Sequence, residues 1–269
     1  MASSLKLANG ATKVICHDRK EEEEAFSHAM CLVTSSAMPV CLKTALELGV
    51  FDIIAKAGEG AKLSSAEIVA QMPTNNPDTA TMLDRILRLL ASHSVLSCSV
   101  DTDDKGSNVR RLYGLCPVSK HFVTNEDGIS LGHFIAMVQD NVFVNTWPQL
   151  KVSILEGGIA FNRSHGMHAS EYLGMDLSGY FTTGRMSIAY KAIPDNGKVI
   201  VVEATLPVRP EINFAVKSVL ASDMGMLLSH PGGKERSQQE FLALATGAGF
   251  SGIKFVCCVC TYWVMELYK

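Results

Sequence analysis

Residues 82–98 read MLDRILRLLASHSVLSC, and residues 110–123 read RRLYGLCPVSKHFV. The apolar residues of the first segment recur at helical spacing, with Arg85 and Arg88 on the opposite face, so this segment predicts an amphipathic helix. Two short β-prone runs then surround a polar turn that contains Gly106, which predicts a hairpin. A further helix start precedes this region, where Ser64 or Ser65 is the expected cap and Glu67 lies in the following turn. The order helix, helix, hairpin predicts a winged helix.

Upstream of the winged helix, the sequence predicts a flexible tail followed by helices. The tail covers residues 1–24, and its acidic run Glu21–Glu24 marks the start of the first helix because negative charge suits a helix N-terminus. Between Phe26 and Leu48 the apolar residues recur at helical spacing, and Pro39 interrupts them, which predicts two helices or one kinked helix. This apolar surface exceeds what one small winged helix can cover, so it predicts a partner chain.

Downstream of the winged helix, a helical region gives way to an α/β pattern. Residues 130–187 are predicted to be helical, and the run KVIVVEATL at residues 198–206 is typical of a buried parallel strand. Residues 214–228 predict another helix, and the apolar runs of residues 253–269 predict an antiparallel strand pair that closes a sheet edge. The predicted fold class is therefore mixed α and α/β.

The composition argues against several classes of function. The net charge of −3, from 24 basic and 27 acidic residues, makes nucleic acid a poor partner. The eight cysteines are scattered without paired CxxC spacing, which predicts reduced, buried thiols and no metal site. No stretch has the apolar length of a membrane span, and the N-terminus lacks the apolar core of a signal peptide, so a cytoplasmic protein is expected.

Three segments resemble plant caffeic-acid-type O-methyltransferases. The first is the winged-helix region quoted above, and the second is LEGGIAFNRSHGMHASEYLG at residues 155–174. The third joins IPDNGKVIVVEATLP at residues 193–207, HPGGKERSQQEFLALATGAGF at residues 230–250 and TYWVMELYK at residues 261–269. The resemblance implies S-adenosylmethionine-dependent methylation of caffeate-like phenylpropanoids or flavonoids by a homodimer.

The same resemblance divides the chain into functional segments. It implies a winged-helix dimerisation domain over residues 25–125 and substrate-side linker helices over residues 126–187. Residues 188–269 are then the C-terminal remnant of a truncated Rossmann-like methyltransferase domain. The missing strands also predict that this remnant folds poorly, because an apolar strand without neighbours exposes unpaired backbone groups.

A cofactor-binding segment is missing from this pattern. The family places a glycine-rich VDVGGG-type loop, an acidic ribose-binding strand end and a His-Asp-Trp motif with the base histidine between the second and third segments. Here GRMSIAYKAIPDNG at residues 184–197 runs straight into the late strand, so about three strand–helix units are absent. The expectation is that this chain alone does not bind S-adenosylmethionine and has little or no activity.

A literal G-x-G-x-x-G motif occurs at Gly247, Gly249 and Gly252. A phosphate-binding loop of this type follows a strand and opens a helix, whereas this motif follows a predicted helix and precedes a strand. It is interpreted as a helix C-cap and turn, and no cofactor-binding residue is predicted in the chain.

The resemblance assigns roles to residues that remain. Glu203 and Glu235 match the two catalytic carboxylates that flank the family's base histidine, which belongs to the missing segment. A histidine oriented by a carboxylate is a suitable general base for a phenol with a pKa near 10. The substrate-binding positions matched by motif are Met137, Val138, Phe143, Ala169, Leu173, Phe181, Met186, Met226 and His230.

Some of these positions depart from the family pattern. Val138 and His230 stand where the family commonly has asparagine, and Leu173 stands where it commonly has histidine, so the ring pattern of the acceptor stays open. Without the resemblance, Glu203 would be interpreted as a solvated strand end and Glu235 as a charged loop residue. The Met and Phe side chains would be interpreted as core residues. The histidines in the substrate segments are interpreted as surface or structural residues rather than as replacement bases: His133, His165, His168 and His230.

Two other classes of function compete with an enzyme. The first is a non-catalytic protein that dimerises with the full-length enzyme and dilutes its activity. The second is a winged-helix DNA-binding regulator that would use Arg85 and Arg88. The neighbouring Asp84, the acidic turn at residues 101–104 and the net charge all disfavour this second alternative.

Overall fold

The computed structural model of the protein describes residues 7–102, 109–174, 183–259 and 261–269. The chain forms two compact units, residues 1–140 and residues 141–269. Each unit has its own hydrophobic core. The finer divisions predicted at residues 125 and 187 stay predictions.

The first unit combines helices with a small antiparallel sheet. Its elements are α1 (Leu7–Thr34), α2 (Ala37–Glu47), α3 (Val50–Lys56), β1 (Lys62–Leu63), α4 (Ser65–Val69), α5 (Thr79–Ser92), β2 (Leu96–Thr102), β3 (Val109–Leu115) and α6 (Leu131–Val138). A short 3-10 helix connects β3 to α6. Helix α4 begins with a capping box in which Ser64 and Glu67 exchange hydrogen bonds, as a helix start in this position predicts.

The winged helix predicted from the sequence is present. Helix α5 leads directly into β2, which pairs antiparallel with β3 along its whole length, and β1 pairs with the other edge of β3. Leu83, Leu87 and Leu90 of α5 are buried in one core with Phe51 and Tyr113. Each buried leucine stabilises the fold by about 1.5–3 kcal/mol, so this row of leucines fixes α5 in the domain.

The first helix begins earlier than predicted. Helix α1 starts at Leu7, so residues 7–24 are helical and Glu21–Glu24 lie inside the helix instead of at its start. Glutamate is a good helix former, and a run of it extends a helix as readily as it starts one. The interruption expected near Pro39 is confirmed, because α1 and α2 are separate helices bent by 50°.

Asp84 ties the helix of the winged helix to its hairpin. Its Oδ1 accepts a hydrogen bond from Tyr113 Oη at 2.7 Å. Its Oδ2 lies 3.2 Å from Arg111 Nη1 and 3.2 Å from Arg88 Nε. Tyr113 is fully buried, and burial followed by the bond to Asp84 raises its pKa.

We expect Asp84→Ala to lower the unfolding free energy of the first unit by about 1–3 kcal/mol, because it leaves the buried Tyr113 hydroxyl without an acceptor. Asp84→Asn keeps an acceptor for that hydroxyl and removes only the charge, so it should cost less. Urea denaturation of the three proteins measures both differences. Equal losses for the two variants would assign the stabilisation to the arginine contacts instead.

The second unit contains short helices and a four-stranded sheet. Its elements are α7 (Asn141–Val144), α8 (Leu150–Glu156), α9 (Ala160–His165), α10 (Ala169–Tyr172), α11 (Thr183–Ala192), β4 (Lys198–Leu206), α12 (Phe214–Ser229), β5 (Arg236–Ser237), α13 (Gln238–Ala248), β6 (Gly252–Val259) and β7 (Tyr262–Tyr268). The strand order is β5-β4-β7-β6.

The predicted antiparallel pair is confirmed as β6 and β7, but it does more than close an edge. β7 lies between β6 and β4 and pairs with β4 from Lys198 to Ala204. The expectation that β4 has lost its neighbours is therefore wrong along this edge. The parallel partner is β5, which meets β4 only at Thr205 and Leu206. The pairing with β7 satisfies the backbone groups of β4 along this edge.

The other edge of β4 has no strand partner before Thr205 within the described residues. One face of β4 packs through Val201 into a core with α11 and α13, whereas Ile200 and Val202 on the other face are 55% and 56% exposed. A parallel strand is normally covered on both faces. This part of the unit thus keeps one covered face and one open face.

Because one edge and one face of β4 are open, we expect residues 188–269 to unfold before residues 25–187. Limited proteolysis followed by mass spectrometry should therefore show early cuts within residues 188–269 and a persistent fragment of about residues 25–187. Equal resistance along the chain, with one cooperative melting transition, would contradict the expectation.

Six cysteine side chains are described, all of them free and none of them buried, so the prediction of buried thiols is wrong for them: Cys31, Cys41, Cys98, Cys116, Cys257 and Cys258. Cys257 and Cys258 are exposed on the edge strand β6. Among the described residues, no group of three or more histidine, cysteine or acidic side chains could hold a metal ion.

No single helix in the described ranges is long and apolar enough to cross a membrane. Residues 19–34 and 37–47 meet these criteria only together, as a bent pair.

Candidate functional site

The two candidate carboxylates lie close together in the fold. Glu203 is on β4, two residues before Thr205, and Glu235 immediately precedes Arg236, which pairs with Thr205 in parallel register. The carboxyl ends of parallel strands meet at one edge of a sheet, where α/β folds place their ligands. The pairing of β4 with β5 therefore brings two acidic residues from distant parts of the sequence to one place.

Glu235 is anchored by helix α12, and the environment of Glu203 favours its neutral form. Glu235 Oε1 accepts a hydrogen bond from Ser222 Oγ at 2.6 Å, and the Glu235 N–H donates to Asp223 Oδ1 at 2.8 Å. Burial raises the pKa of Glu203, and the charge of Glu235 raises it further, while a backbone N–H and Arg236 partly offset both. A carboxyl that keeps its proton can donate a hydrogen bond to a ligand oxygen.

The raised pKa of Glu203 predicts a pH-dependent stability. A carboxyl whose pKa is higher in the folded state stabilises the fold at low pH. That contribution is lost as the pH rises from the pKa in the unfolded state, about 4.3, through the higher pKa in the folded state. We expect Glu203→Gln, which cannot ionise, to be more stable than the wild type at pH 8 and similar to it at pH 4. Urea denaturation at both pH values tests this.

Glu171→Gln is the matched control for the change in net charge, because Glu171 is exposed on α10. A Glu203→Gln variant less stable than the wild type at pH 8 would contradict the expectation. It would show that the ionised carboxylate has a stabilising partner.

Helix α12 connects the carboxylates to two predicted acceptor residues. Ser222 and Met226 lie one turn apart on the same face of α12, and His230 follows as its C-cap residue with an extended backbone. The His230 N–H donates to Met226 O at 3.0 Å, and the Gly233 N–H donates to His230 O at 3.1 Å. A Cβ on Gly233 would lie 2.7 Å from His230 Cβ, so a glycine is needed where the chain folds back over His230.

The imidazole of His230 lacks hydrogen bonds. Both ring nitrogens are buried, and neither has a hydrogen-bond partner among the described residues. Burial lowers the pKa of His230, and the nearby His168 lowers it further. The ring is thereby favoured in its neutral form, which carries one donor nitrogen and one acceptor nitrogen.

Three further predicted positions lie among the short helices of the second unit. Phe143 packs against Phe161 and Tyr172, with ring centroids 5.6 and 6.3 Å apart, and Ala169 is fully buried. Leu173 caps the C-terminus of α10. The packing alone gives Phe143 and Ala169 a role in the core, and a role toward an acceptor ring stays a proposal.

The remaining predicted positions are distributed elsewhere. Met186 is 6% exposed and packs with Val201 in the core of the sheet. Met137 and Val138 end α6 in the first unit. Phe181 lies outside the described residues. Helix α12 is thus the element on which carboxylate contacts and predicted acceptor residues meet.

The other histidines of the substrate segments have partners that are not carboxylates. His165 Nε2 lies 2.8 Å from a backbone carbonyl and 3.3 Å from Thr146 Oγ1. His133 Nδ1 lies 3.4 Å from a backbone carbonyl, and His168 Nδ1 lies 3.1 Å from Asn162 Nδ2. In the described contacts, none of these three rings is oriented by a carboxylate as a general base would be.

The residues present do not fit S-adenosylmethionine. Binding it requires a glycine-rich loop between a strand and a helix, where backbone N–H groups can approach the ligand. None of the described strands is followed by such a loop. Gly249 is instead the C-cap of α13 at φ +105°, and Gly252 starts β6 against the Tyr268 ring, which confirms the interpretation as cap and turn.

A cleft of about 430 Å³ opens at the carboxyl end of β4. Leu206, Val219, Gln238 and Trp263 are among the residues that line it, and they belong to β4, α12, α13 and β7. The sequence did not indicate this cleft, because no single segment carries more than one wall of it.

Comparison with known proteins gives matches over both units. An O-methyltransferase dimerisation domain profile matches residues 30–125, and an O-methyltransferase domain profile matches residues 185–251. Among solved structures, human N-acetylserotonin methyltransferase in complex with SAM has a TM-score of 0.66 at 14% identity, covering 91% of this chain and 97% of that one. At that identity the likeness shows the fold alone.

Curated relatives from plants are much closer in sequence. "Cathecol O-methyltransferase 1" of Solanum lycopersicum is 38% identical over 361 residues, covering 93% of this chain and 96% of the relative. "Caffeic acid 3-O-methyltransferase" of Medicago sativa is 36% identical over 349 residues, covering 92% and 95%. The alignment with the tomato enzyme spans 361 positions and this chain has 269 residues, so at least 92 positions face no residue of this chain.

Proposed function

Because the chain belongs to the plant O-methyltransferase family, whose enzymes depend on S-adenosylmethionine, we propose that it keeps the acceptor side of a phenolic O-methyltransferase without transferring methyl groups by itself. The pairing of Glu203 with Glu235 carries this proposal, in a chain whose sequence lacks the cofactor loop and the base histidine. In the alignment with the tomato relative, at least 92 positions face no residue of this chain, which supports the missing segment.

The residues present can orient the phenol, whereas the base that would take its proton belongs to the missing segment. A phenol is methylated only after a positioned base takes the proton of its hydroxyl. In this proposal Glu203 and Glu235 flank the acceptor hydroxyl and hold it by hydrogen bonds. With no histidine placed between them, the two carboxylates orient the phenol but do not ionise it efficiently.

The acceptor is proposed to be a caffeate-like phenylpropanoid or a flavonoid. The curated relatives carry catechol and caffeic acid in their names, which supports this class. On this chain, Met226 of α12 and His230 at its C-cap are the proposed contacts to the ring, with Phe143, Ala169 and Leu173 beside it. Met226 is 39% exposed, so its thioether is available to an aromatic ring.

A specific observation favours a second role, that of a non-catalytic dimerisation partner. The dimerisation domain supports homodimer formation, and Phe26, Leu32 and Val33 on α1 are 64–76% exposed in the single chain. Exposed apolar residues in a row mark a protein interface. A chain that offers this surface without a cofactor site would form mixed dimers with a complete relative and lower its activity.

DNA binding is the weaker alternative. Arg88 on the candidate recognition helix is paired with Asp84 at 3.2 Å, which reduces its availability for a phosphate. A duplex-binding titration at low and high salt would separate this alternative, since phosphate contacts give a steep salt dependence.

The acceptor site can be tested by calorimetric titration of caffeate into the full chain. We expect one site per chain in the wild type and loss of the binding heat in Met226→Glu, because a carboxylate there faces the aromatic ring. Ile212→Glu is the matched control, since Ile212 is apolar and 93% exposed but lies outside α12. Absence of binding to the wild type would contradict the proposed acceptor site.

A further inference from the structure

The cleft at the carboxyl end of β4 is built by four elements of the second unit. Trp263 of β7 pairs directly with Cys258 of β6, so both side chains project from the same face of the sheet. Val216 and Val219 from the first two turns of α12 and Gln238 at the start of α13 supply further walls. The volume of about 430 Å³ lies within the range of about 300–1,000 Å³ that is usual for small-molecule sites.

The walls of this cleft carry no charge. Among the described residues that line it, none is a lysine, arginine, histidine, aspartate or glutamate. An ion that leaves water for such a site loses its hydration and gains no partner of opposite charge, which costs more free energy than the apolar contacts return. The lining therefore selects neutral ligands and disfavours carboxylates such as caffeate.

Trp263 favours a flat ring as the neutral ligand. Its indole contacts Phe255 with the ring centroids 5.7 Å apart and the planes at 87°, and this contact fixes the orientation of the indole. An aromatic pair contributes about 0.5–1.5 kcal/mol beyond the area that it buries. The hydroxyl of Thr205 and the amide of Gln238 add uncharged hydrogen-bonding groups to the lining.

The cleft is separate from the acceptor site proposed above. Val216 and Met226 are ten positions apart on α12, which corresponds to about 15 Å along the helix axis. The cleft is lined from the N-terminal half of α12, whereas the proposed acceptor contacts, Met226 and His230, lie at its C-terminal end and do not line the cleft. A molecule in the cleft therefore leaves the acceptor contacts free.

We propose that this cleft is a second ligand site, which binds a neutral aromatic molecule through Val216, Val219 and Trp263. The ligand needs no hydroxyl group, because apolar contact and ring packing supply the binding free energy. This inference goes beyond the proposed function, since the site takes no part in methyl transfer and does not depend on the carboxylates.

Alkylation of two neighbouring cysteines tests the site in the wild-type chain. The probe is N-phenyl-1-naphthylamine, a neutral aromatic fluorophore, and the reagent is iodoacetamide. Cys258 lines the cleft, whereas Cys257 is also exposed but does not line it, so Cys257 is an internal control. At ten times its dissociation constant, the probe should slow alkylation of Cys258 about tenfold. Alkylation of Cys257 should change less than about twofold, as tandem mass spectrometry of the tryptic peptide 255–269 can measure.

A matched pair of variants tests the same site by filling it. Ala215 is exposed on α12 and lines the cleft, whereas Ala221 is exposed on the same helix and does not line it. In a fluorescence titration, Ala215→Trp should weaken binding of the probe at least about tenfold, equivalent to about 1.4 kcal/mol of lost contact. Ala221→Trp should stay within about twofold of the wild type, and both variants should melt at the wild-type temperature.

The contrary outcomes are distinct from one another. Absence of probe binding, equal protection of Cys257 and Cys258, or equal loss in the two variants would overturn the second site. Displacement of the probe by caffeate would also overturn it, by placing the probe at the acceptor site. Protection of Cys258 that rises with protein concentration without the probe would assign the cleft to a second copy of the chain. The acceptor site stands or falls separately, on the calorimetric titration of caffeate.

Discussion

We expect no methylated product when the chain is incubated with S-adenosylmethionine and caffeate, even at high enzyme concentration and after long incubation. Removal of a general base alone slows a reaction by about 100- to 10,000-fold. The chain also lacks the loop that would hold the methyl donor in line with the phenolic oxygen. Loss of that positioning removes a further contribution of about 7–11 kcal/mol to the barrier, which places turnover below detection.

The control for this assay is the caffeic acid 3-O-methyltransferase of Medicago sativa, which should form product under the same conditions. Mixing the two proteins tests whether the present chain acts as a dimerisation partner of a complete enzyme. A fall in product per complete chain as the present chain is added supports that role. Product formed by the present chain alone would contradict the proposed loss of methyl transfer.

The second large effect is on assembly. We expect the wild-type chain to be a dimer at micromolar concentration and the double variant Leu32→Glu/Val33→Glu to be a monomer. Both side chains are exposed in the single chain, at 64% and 76%, and both lie in the segment that matches the dimerisation domain. Loss of an apolar anchor in an interface costs about 1–4 kcal/mol, which raises the dissociation constant about 5- to 1,000-fold for each residue.

Light scattering coupled to gel filtration measures this change. Val208→Glu is the control, because Val208 is 84% exposed and lies in the second unit, outside the dimerisation domain. A monomeric wild type at high concentration would contradict the assignment, and a double variant that stays dimeric would place the interface elsewhere.

Local signals in the sequence predicted local structure well. Ser64 followed by Glu67 predicted the start of α4, and the two apolar runs at the C-terminus predicted β6 and β7. Such signals depend on residues within a few positions of each other, where propensity and hydrogen bonding decide the outcome. The start of α1 was missed because an acidic run is equally stable inside a helix.

Non-local contacts were harder to predict. The pairing of β7 with β4 joins residues 58 to 70 positions apart in the sequence, from Ala204 with Tyr262 to Lys198 with Tyr268, and no pattern in either strand encodes it. The proximity of Glu203 and Glu235 was predicted only from the family resemblance, and the structure adds the parallel register that causes it. His230 was among the predicted substrate positions, but the contact between His168 and Asn162 and the absence of hydrogen bonds to the His230 ring were not predicted.

Calorimetric titration of S-adenosylhomocysteine into the full chain tests the central claim most directly. The demethylated product binds the same cofactor loop and undergoes no reaction, so the heat reports on the loop alone. We expect no saturable binding heat up to millimolar ligand, while caffeate still binds in a parallel titration. Micromolar binding of S-adenosylhomocysteine at one site per chain would contradict it, and would show that other residues of this chain have replaced the missing loop.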